Sequence, residues 1–259
     1  SVNASPIQAA ELLRDRLWGS CYAAVVTSAT LRALGSFDTL KRETGLPNSA
    51  HFMAVAGAFD YANAAVIRVP KDAVEGNSIE DHSRYIVDNL ASLVAPRCGT
   101  LVLFSSRRQM EGVFDELSND LQKQILIQGQ YSNREMIRLH KERIDQGKTS
   151  VLLGLASFAE GVDLPGDYCR HVVIAKLPFA VPDEPLQEAL AEWIEDRGGN
   201  SFFDISLPVA SLRLIQACGR LLRTESDSGT VTILDKRLIT KRYGAQLLNA
   251  LPPFRREIG

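Results

Sequence analysis

No stretch of this 259-residue chain is apolar over the roughly 18 residues that a membrane-crossing helix needs, and the longest candidates are broken by Lys, Pro or Gly. Cysteine is scarce and dispersed. Cys21, Cys98, Cys169 and Cys218 include no closely spaced pair, from which zinc and iron–sulfur sites usually draw ligands. Each adjoins an apolar or strand-like segment, so buried free thiols are expected, and no metal site. An excess of either charge is also lacking. Twenty-nine basic residues face 31 acidic ones, which excludes a small, uniformly basic nucleic-acid binder but leaves room for a local basic face. Ser1–Pro6 has no basic region followed by an apolar core, hence no secretory signal, and the first residue is not Met. A cytoplasmic chain is expected, reading as an excised fragment or a processed product.

What is present is ordinary globular usage, with 45% hydrophobic and 23% charged residues, in a length suited to one large α/β domain over 1–259. Val25–Val26, Val66–Val69, Leu101–Phe104, Gln124–Ile127, Val151–Leu153, His171–Ile174 and Val231–Leu234 are short, β-branched-rich runs that read as buried strands. Amphipathic stretches of helix length lie between most of them: Ile79–Leu93, Arg108–Leu117, Asn133–Asp145, Pro185–Asp196 and Leu207–Leu222. Strand alternating with helix predicts an α/β fold, a three-layer domain with a mainly parallel sheet and ligands at the carboxyl ends of its strands. Asn48–Ala64 reads as an irregular excursion, and 178–206 as a loop and helical region opened by the proline-rich Pro178–Pro185.

A phosphate-cradling Walker A loop is missing. Gly147-Lys148-Thr149 imitates its end, but Glu142 stands where the first Gly is needed. The order of elements is also reversed, with a helix before and a strand after, so Gly147 reads as a helix C-cap. No Asp-Glu pair caps an apolar strand to hold magnesium.

The strongest local signal is Gln216-Ala217-Cys218-Gly219-Arg220-Leu221-Leu222-Arg223. On a helix, Leu212, Ile215, Cys218 and Leu222 form an apolar stripe, and Arg213, Gln216, Arg220 and Arg223 form a second stripe beside it. Forked, permanently charged donors one turn apart suit a polyphosphate. A solvated arginine face would look the same. The second signal is the loop Gly154–Asp163, which follows Val151–Leu153 and offers Ser157, Glu160, Asp163 and flexible glycines at the ligand-binding edge.

In this order the two segments resemble motifs V and VI of superfamily 2 helicases, in particular the DinG branch of the XPD-like DNA helicases. Thr27-Ser28-Ala29-Thr30-Leu31 resembles motif III, and Leu101–Ser106 with Arg107-Arg108 resembles motif IV. Gln128-Gly129 resembles the motif that follows. Leu234-Asp235-Lys236-Arg237 and Lys241-Arg242-Tyr243-Gly244 resemble the family's C-terminal end. The resemblance implies a RecA-like second motor domain working beside an N-terminal motor domain, which carries Walker A, Walker B and an iron–sulfur cluster. It further implies ATP and Mg2+, a monomer, 5′→3′ movement on single-stranded DNA, and no membrane. This half alone would be inactive. Arg220, Arg223 and Gln216 would act on ATP as the catalytic set, with Glu160, Gly161, Asp163 and Gly219 lining the nucleotide side. Ser105, Ser106, Arg107, Gln128 and Ser157 would follow the DNA backbone.

A non-catalytic adaptor that binds DNA or a partner protein is the competing reading; arginines paired with carboxylates at the surface would favour it. Six basic residues between Asp235 and Glu257 could flank DNA, form a solvated tail or pair within the molecule. His140 and His171 have no spaced partner and read as surface or core histidines.

Overall fold

A computed structural model describes residues 6–179 and 185–259, so 180–184 of the proline-rich loop lie outside the described residues. Where one domain was expected, the chain divides into two compact units, residues 1–56 with 179–212 and residues 57–178 with 213–259. The breaks at 56/57 and 178/179 fall in the two segments that interrupt the strand–helix rhythm.

The larger unit is one seven-stranded sheet: β1 (Ala65–Val69), β2 (Gly99–Phe104), β3 (Ile125–Ile127), β4 (Ser150–Leu155), β5 (His171–Ile174), β6 (Gly229–Ile233) and β7 (Arg255–Ile258). The order is β3-β4-β2-β5-β6-β1-β7, and every pair is parallel. Every residue of β2 is buried, as a central strand covered on both faces requires. Val102 and Phe104 join Ile86 and Leu90 of the helix Ile79–Leu93 and Met110 and Val113 of the helix Arg107–Glu116 in one apolar cluster. These helices, and Asn133–Asp145, each begin at a serine whose hydroxyl accepts an N–H three residues on: Ser78, Ser106 and Ser132. Gly147 follows the third helix at φ +70°, a conformation that favours glycine.

The smaller unit is helical. Trp18 Nε1 donates to the Thr44 carbonyl at 2.7 Å, Leu34 N–H donates to Ser211 Oγ at 3.1 Å, and Arg42 bonds the Asp204 carbonyl. Gly45 lies at φ +62°, with the Ala10 carbonyl oxygen occupying the space a Cβ would need, so no other residue fits.

Four expectations are corrected. Val25–Val26 is not a strand: among the described residues it pairs with none, and Tyr22 and Val25 are exposed. β7 is not among the expected strands: it lies in the basic stretch read as flanking DNA, a solvated tail or intramolecularly paired, and it pairs with β1 at the sheet edge. The helix from Leu207 ends at Cys218 rather than Leu222. Cys21 is exposed, whereas Cys169 and Cys218 are buried and burial pushes both thiols up to about 12.

His140 and His171 sit in the fold as polar core residues. His140 lies between Ser150 Oγ and the Tyr168 carbonyl, each at 2.8 Å, and His171 Nε2 is 2.7 Å from Thr232 Oγ1. Burial holds both near pH 4. Because folding lowers these values, their contribution is complete above about pH 6.5 and is lost as pH falls towards 4. The fully buried His140 should account for on the order of 3 kcal/mol and the half-buried His171 for less. Urea midpoints at pH 7 and pH 4.5 should therefore differ, and His140→Gln should narrow the gap. Equal midpoints in the parent chain would contradict neutral, buried imidazoles.

Candidate functional site

Because β3, β4 and β2 are adjacent and parallel, the loops after Ile127, Leu155 and Phe104 leave one edge of the sheet. This brings together all five residues expected along the DNA backbone. Ser105, Ser106, Arg107 and Ser157 are exposed. Ser106 also caps its helix, and Arg107 lies 3.6 Å from Glu111 and reaches the Gln128 carbonyl at 3.5 Å. Gln128 turns inward, its Oε1 accepting Leu155 N–H at 2.8 Å, and so braces the end of β4. Its side chain holds the loop in place rather than facing solvent.

The loop after β4 opens with the helical turn Ala156–Glu160. Phe158 is buried against Gly154, where a Cβ would lie 2.5 Å from its ring, so glycine at 154 lets the turn fold back on its strand. The side chain of Glu160 lies outside the described residues. Gly161 and Gly219 are exposed, and Gln216 is half-buried on the helix Leu207–Cys218.

Past Cys218 the chain tightens. Arg220 and Leu221 N–H groups donate to carbonyls three residues back, and Gly219 is the last to reach four. Arg220 and Arg223 are thus not on one helix face, as the stripe had them. Arg220 Nη1 donates to the Val162 carbonyl at 3.0 Å, and Arg223 Nε donates to Asp163 Oδ1 at 2.6 Å. Both partners belong to the loop after β4. The Val162 carbonyl holds one arm of Arg220, whereas the half-exposed Arg223 is paired with a carboxylate.

Asp227 was not picked out from the sequence, and it organises this corner. Its carboxylate is buried and accepts the N–H groups of Arg223 (2.7 Å), Thr224 (2.8 Å) and Gly166 (2.9 Å), and the Thr224 hydroxyl (2.7 Å). Burial pushes the carboxyl up, but these donors outweigh it and hold it below the usual aspartate range. The Thr224–Asp227 spacing was the available signal, since such an Asp can accept the N–H of a residue three earlier. Asp235, also unassigned beyond its place in the C-terminal motif, is wholly buried. It accepts Leu177 N–H at 3.0 Å and both arms of Arg237, at 2.9 and 2.6 Å.

Known proteins with similar sequences point one way. The helicase C-terminal domain family matches residues 90–254. The chain is 42% identical to the ATP-dependent DNA helicase DinG of Photobacterium profundum, over 99% of the chain and 38% of that protein. It is 39% identical to the DinG of Escherichia coli, over 96% of the chain and 35% of that protein. The chain thus spans less than two fifths of the length of these curated relatives. Among solved structures, an XPD helicase superposes with a TM-score of 0.56 at 23% identity, covering 76% of this chain and 36% of its own. Xpd4 of S. tokodaii superposes with a TM-score of 0.57 at 16% identity, covering 86% and 43%. These two share the fold.

Proposed function

The chain belongs to the helicase C-terminal domain family, and from that premise we propose that it is the second motor domain of an ATP-dependent DNA helicase of the DinG type. One observation carries the reading: the loop after β4 is tied to the segment after the helix Leu207–Cys218 through Arg220–Val162, Arg223–Asp163 and the Asp227 cluster. A change at one end of this network has a physical route to the other. Ser157 stands in the same loop, so the residues proposed for ATP and for DNA share one element.

Arg220, Gln216, Gly219 and the loop Gly161–Asp163 suit a polyphosphate on this domain's side, since a charged fork and two exposed glycines leave room for anionic oxygens. ATP would supply the phosphoanhydride whose hydrolysis drives movement. The role of Arg220 is to stabilise negative charge developing on phosphate oxygens, and Gln216 adds a hydrogen bond near the nucleotide. Arg223 and Asp163 position the loop, with Glu160 placed by sequence alone. Mg2+ would be held mostly, and an iron–sulfur cluster wholly, by the N-terminal motor domain, so no residue here is assigned to either. Among the described residues no three His, Cys, Asp or Glu side chains converge as metal ligands, and no step is assigned to either group.

The adaptor reading draws on the Arg223–Asp163 pair, which is half-exposed. Titrating the chain with labelled single-stranded DNA tests the DNA side. Binding should be independent of sequence, fall with salt and be weak, on the order of 10⁻⁴–10⁻⁶ M, because the chain is net acidic. Ser157→Asp, which sets a charge against the phosphates, should abolish it. Tight binding that ignores salt, or binding untouched by Ser157→Asp, would remove the DNA track from this edge.

A further inference from the structure

The carboxyl edge does not end at β2. In the sheet order β3-β4-β2-β5-β6, the ends of β5 and β6 continue it, with Leu103 opposite Ile174 and Ile174 opposite Ile233. Lys176 stands two residues past β5, and Lys236 three past β6. Their loops therefore leave the sheet level with the one carrying Ser105 and Ser106.

Both lysines are placed by the segment that follows β1. The Lys176 stem runs against Gly76, where a Cβ would lie 2.8 Å from Lys176 Cε. Lys236 N–H donates to the Val74 carbonyl at 3.1 Å. The nearby carboxylates are already spent: Asp235 on Arg237, and Glu75 on Lys241 at 3.1 Å and on the Thr240 hydroxyl. Among the described residues no carboxylate lies within 4 Å of either ammonium. Burial of the half-exposed Lys176, with Arg237 close by, pulls its ammonium below the usual lysine range. Asp235 offsets part of the positive charge there without forming an ion pair with either lysine.

We infer that Lys176 and Lys236 are backbone-phosphate contacts that extend the single-strand track from Ser157, Ser105 and Ser106 across the ends of β5 and β6. The inference rests on the proposed function above. Neighbouring strands lie about 4.8 Å apart, so the edge from β3 to β6 spans roughly 19 Å. That length suits a site on the order of four nucleotides, the short end for single-strand grooves. Lysine ammonium groups on this edge contact phosphate oxygens and leave the bases unread.

The test is anisotropy of labelled oligothymidylates of two, four and ten nucleotides on the full chain, between about 50 and 200 mM salt. Parent affinity should rise from two to four nucleotides. The double variant Lys176→Gln/Lys236→Gln should weaken binding of the ten-mer about tenfold at low salt and flatten the slope of log K against log salt by about 1.4. The double arginine variant should restore both, and thermal melts should match the parent. A double variant that keeps the parent slope while Ser157→Asp abolishes binding overturns this inference and leaves the serine track standing. A parent chain that binds no oligothymidylate, or that Ser157→Asp leaves unchanged, overturns the underlying reading as well. Equal losses for the dinucleotide and the ten-mer would mark a free-phosphate pocket and also overturn the extended track.

Discussion

If the chain works within a helicase as proposed, Arg220→Ala in the full-length protein is expected to lower DNA-stimulated ATP turnover about 10³-fold while changing ATP binding little. An arginine that acts on charge developing in the transition state shows in kcat, because the ground state offers it less to bind. Arg220→Lys should not rescue turnover, since an ammonium cannot hold the Val162 carbonyl and a phosphate oxygen with one planar fork. Steady-state kinetics with varied ATP decide the matter. A loss confined to KM would make Arg220 an ordinary binding residue. Arg223→Ala is also expected to cost turnover, by releasing Asp163. In a double-mutant cycle Arg223→Ala and Asp163→Ala should therefore be far from additive.

Asp227→Ala should be the most damaging change to stability in the same corner. It removes one buried carboxylate and leaves three backbone N–H groups and the Thr224 hydroxyl without their acceptor. Water reaching some of them limits the cost, so a loss of about 3–4 kcal/mol is expected at pH 7. For a chain of this size that corresponds to a fall in Tm on the order of 10 °C. The sign with pH follows from the lowered carboxyl: the contribution is complete above about pH 4 and disappears as pH falls through the folded value. Urea denaturation followed by circular dichroism measures it. A shift under about 1 kcal/mol would mean that solvent replaces the carboxylate and that Asp227 does not organise the corner.

Much of the sheet was legible from the residues because buried parallel strands and the helices between them carry strong periodic signals. His171–Ile174, Ile79–Leu93 and Asn133–Asp145 have the bounds that their sequences suggested. The misses share a cause, which is that a local pattern does not contain its partner. Val25–Val26 has the β-branched, apolar character of a strand, but a strand exists only where a ladder forms. β7 has a ladder and lacks the character. Leu221 and Leu222 continue the helical spacing, yet Gly219 and the pull of Asp227 on Arg223 and Thr224 end the helix first. The placement of the Ser105 and Ser157 loops on one sheet edge was legible. Asp227 was not, because its meaning depends on Gly166, 61 residues earlier.

β7 also bears on how the protein behaves in a crowded solution. An outermost strand offers a row of open backbone groups that any extended chain could join, which is the usual start of sheet-to-sheet aggregation. Here the row is guarded. All four residues of β7 are exposed, Glu257 is clasped by Arg68 at 2.6 Å and by Arg255 at 3.1 Å, and on the other face Arg256 donates to the Leu248 carbonyl at 2.8 Å. A newcomer aligning on β7 would have to lay its side chains across that charged lattice and strip water from it. Replacing Arg255, Arg256 and Glu257 by threonines would keep the strand and remove the guard, leaving a sheet that grows at one end.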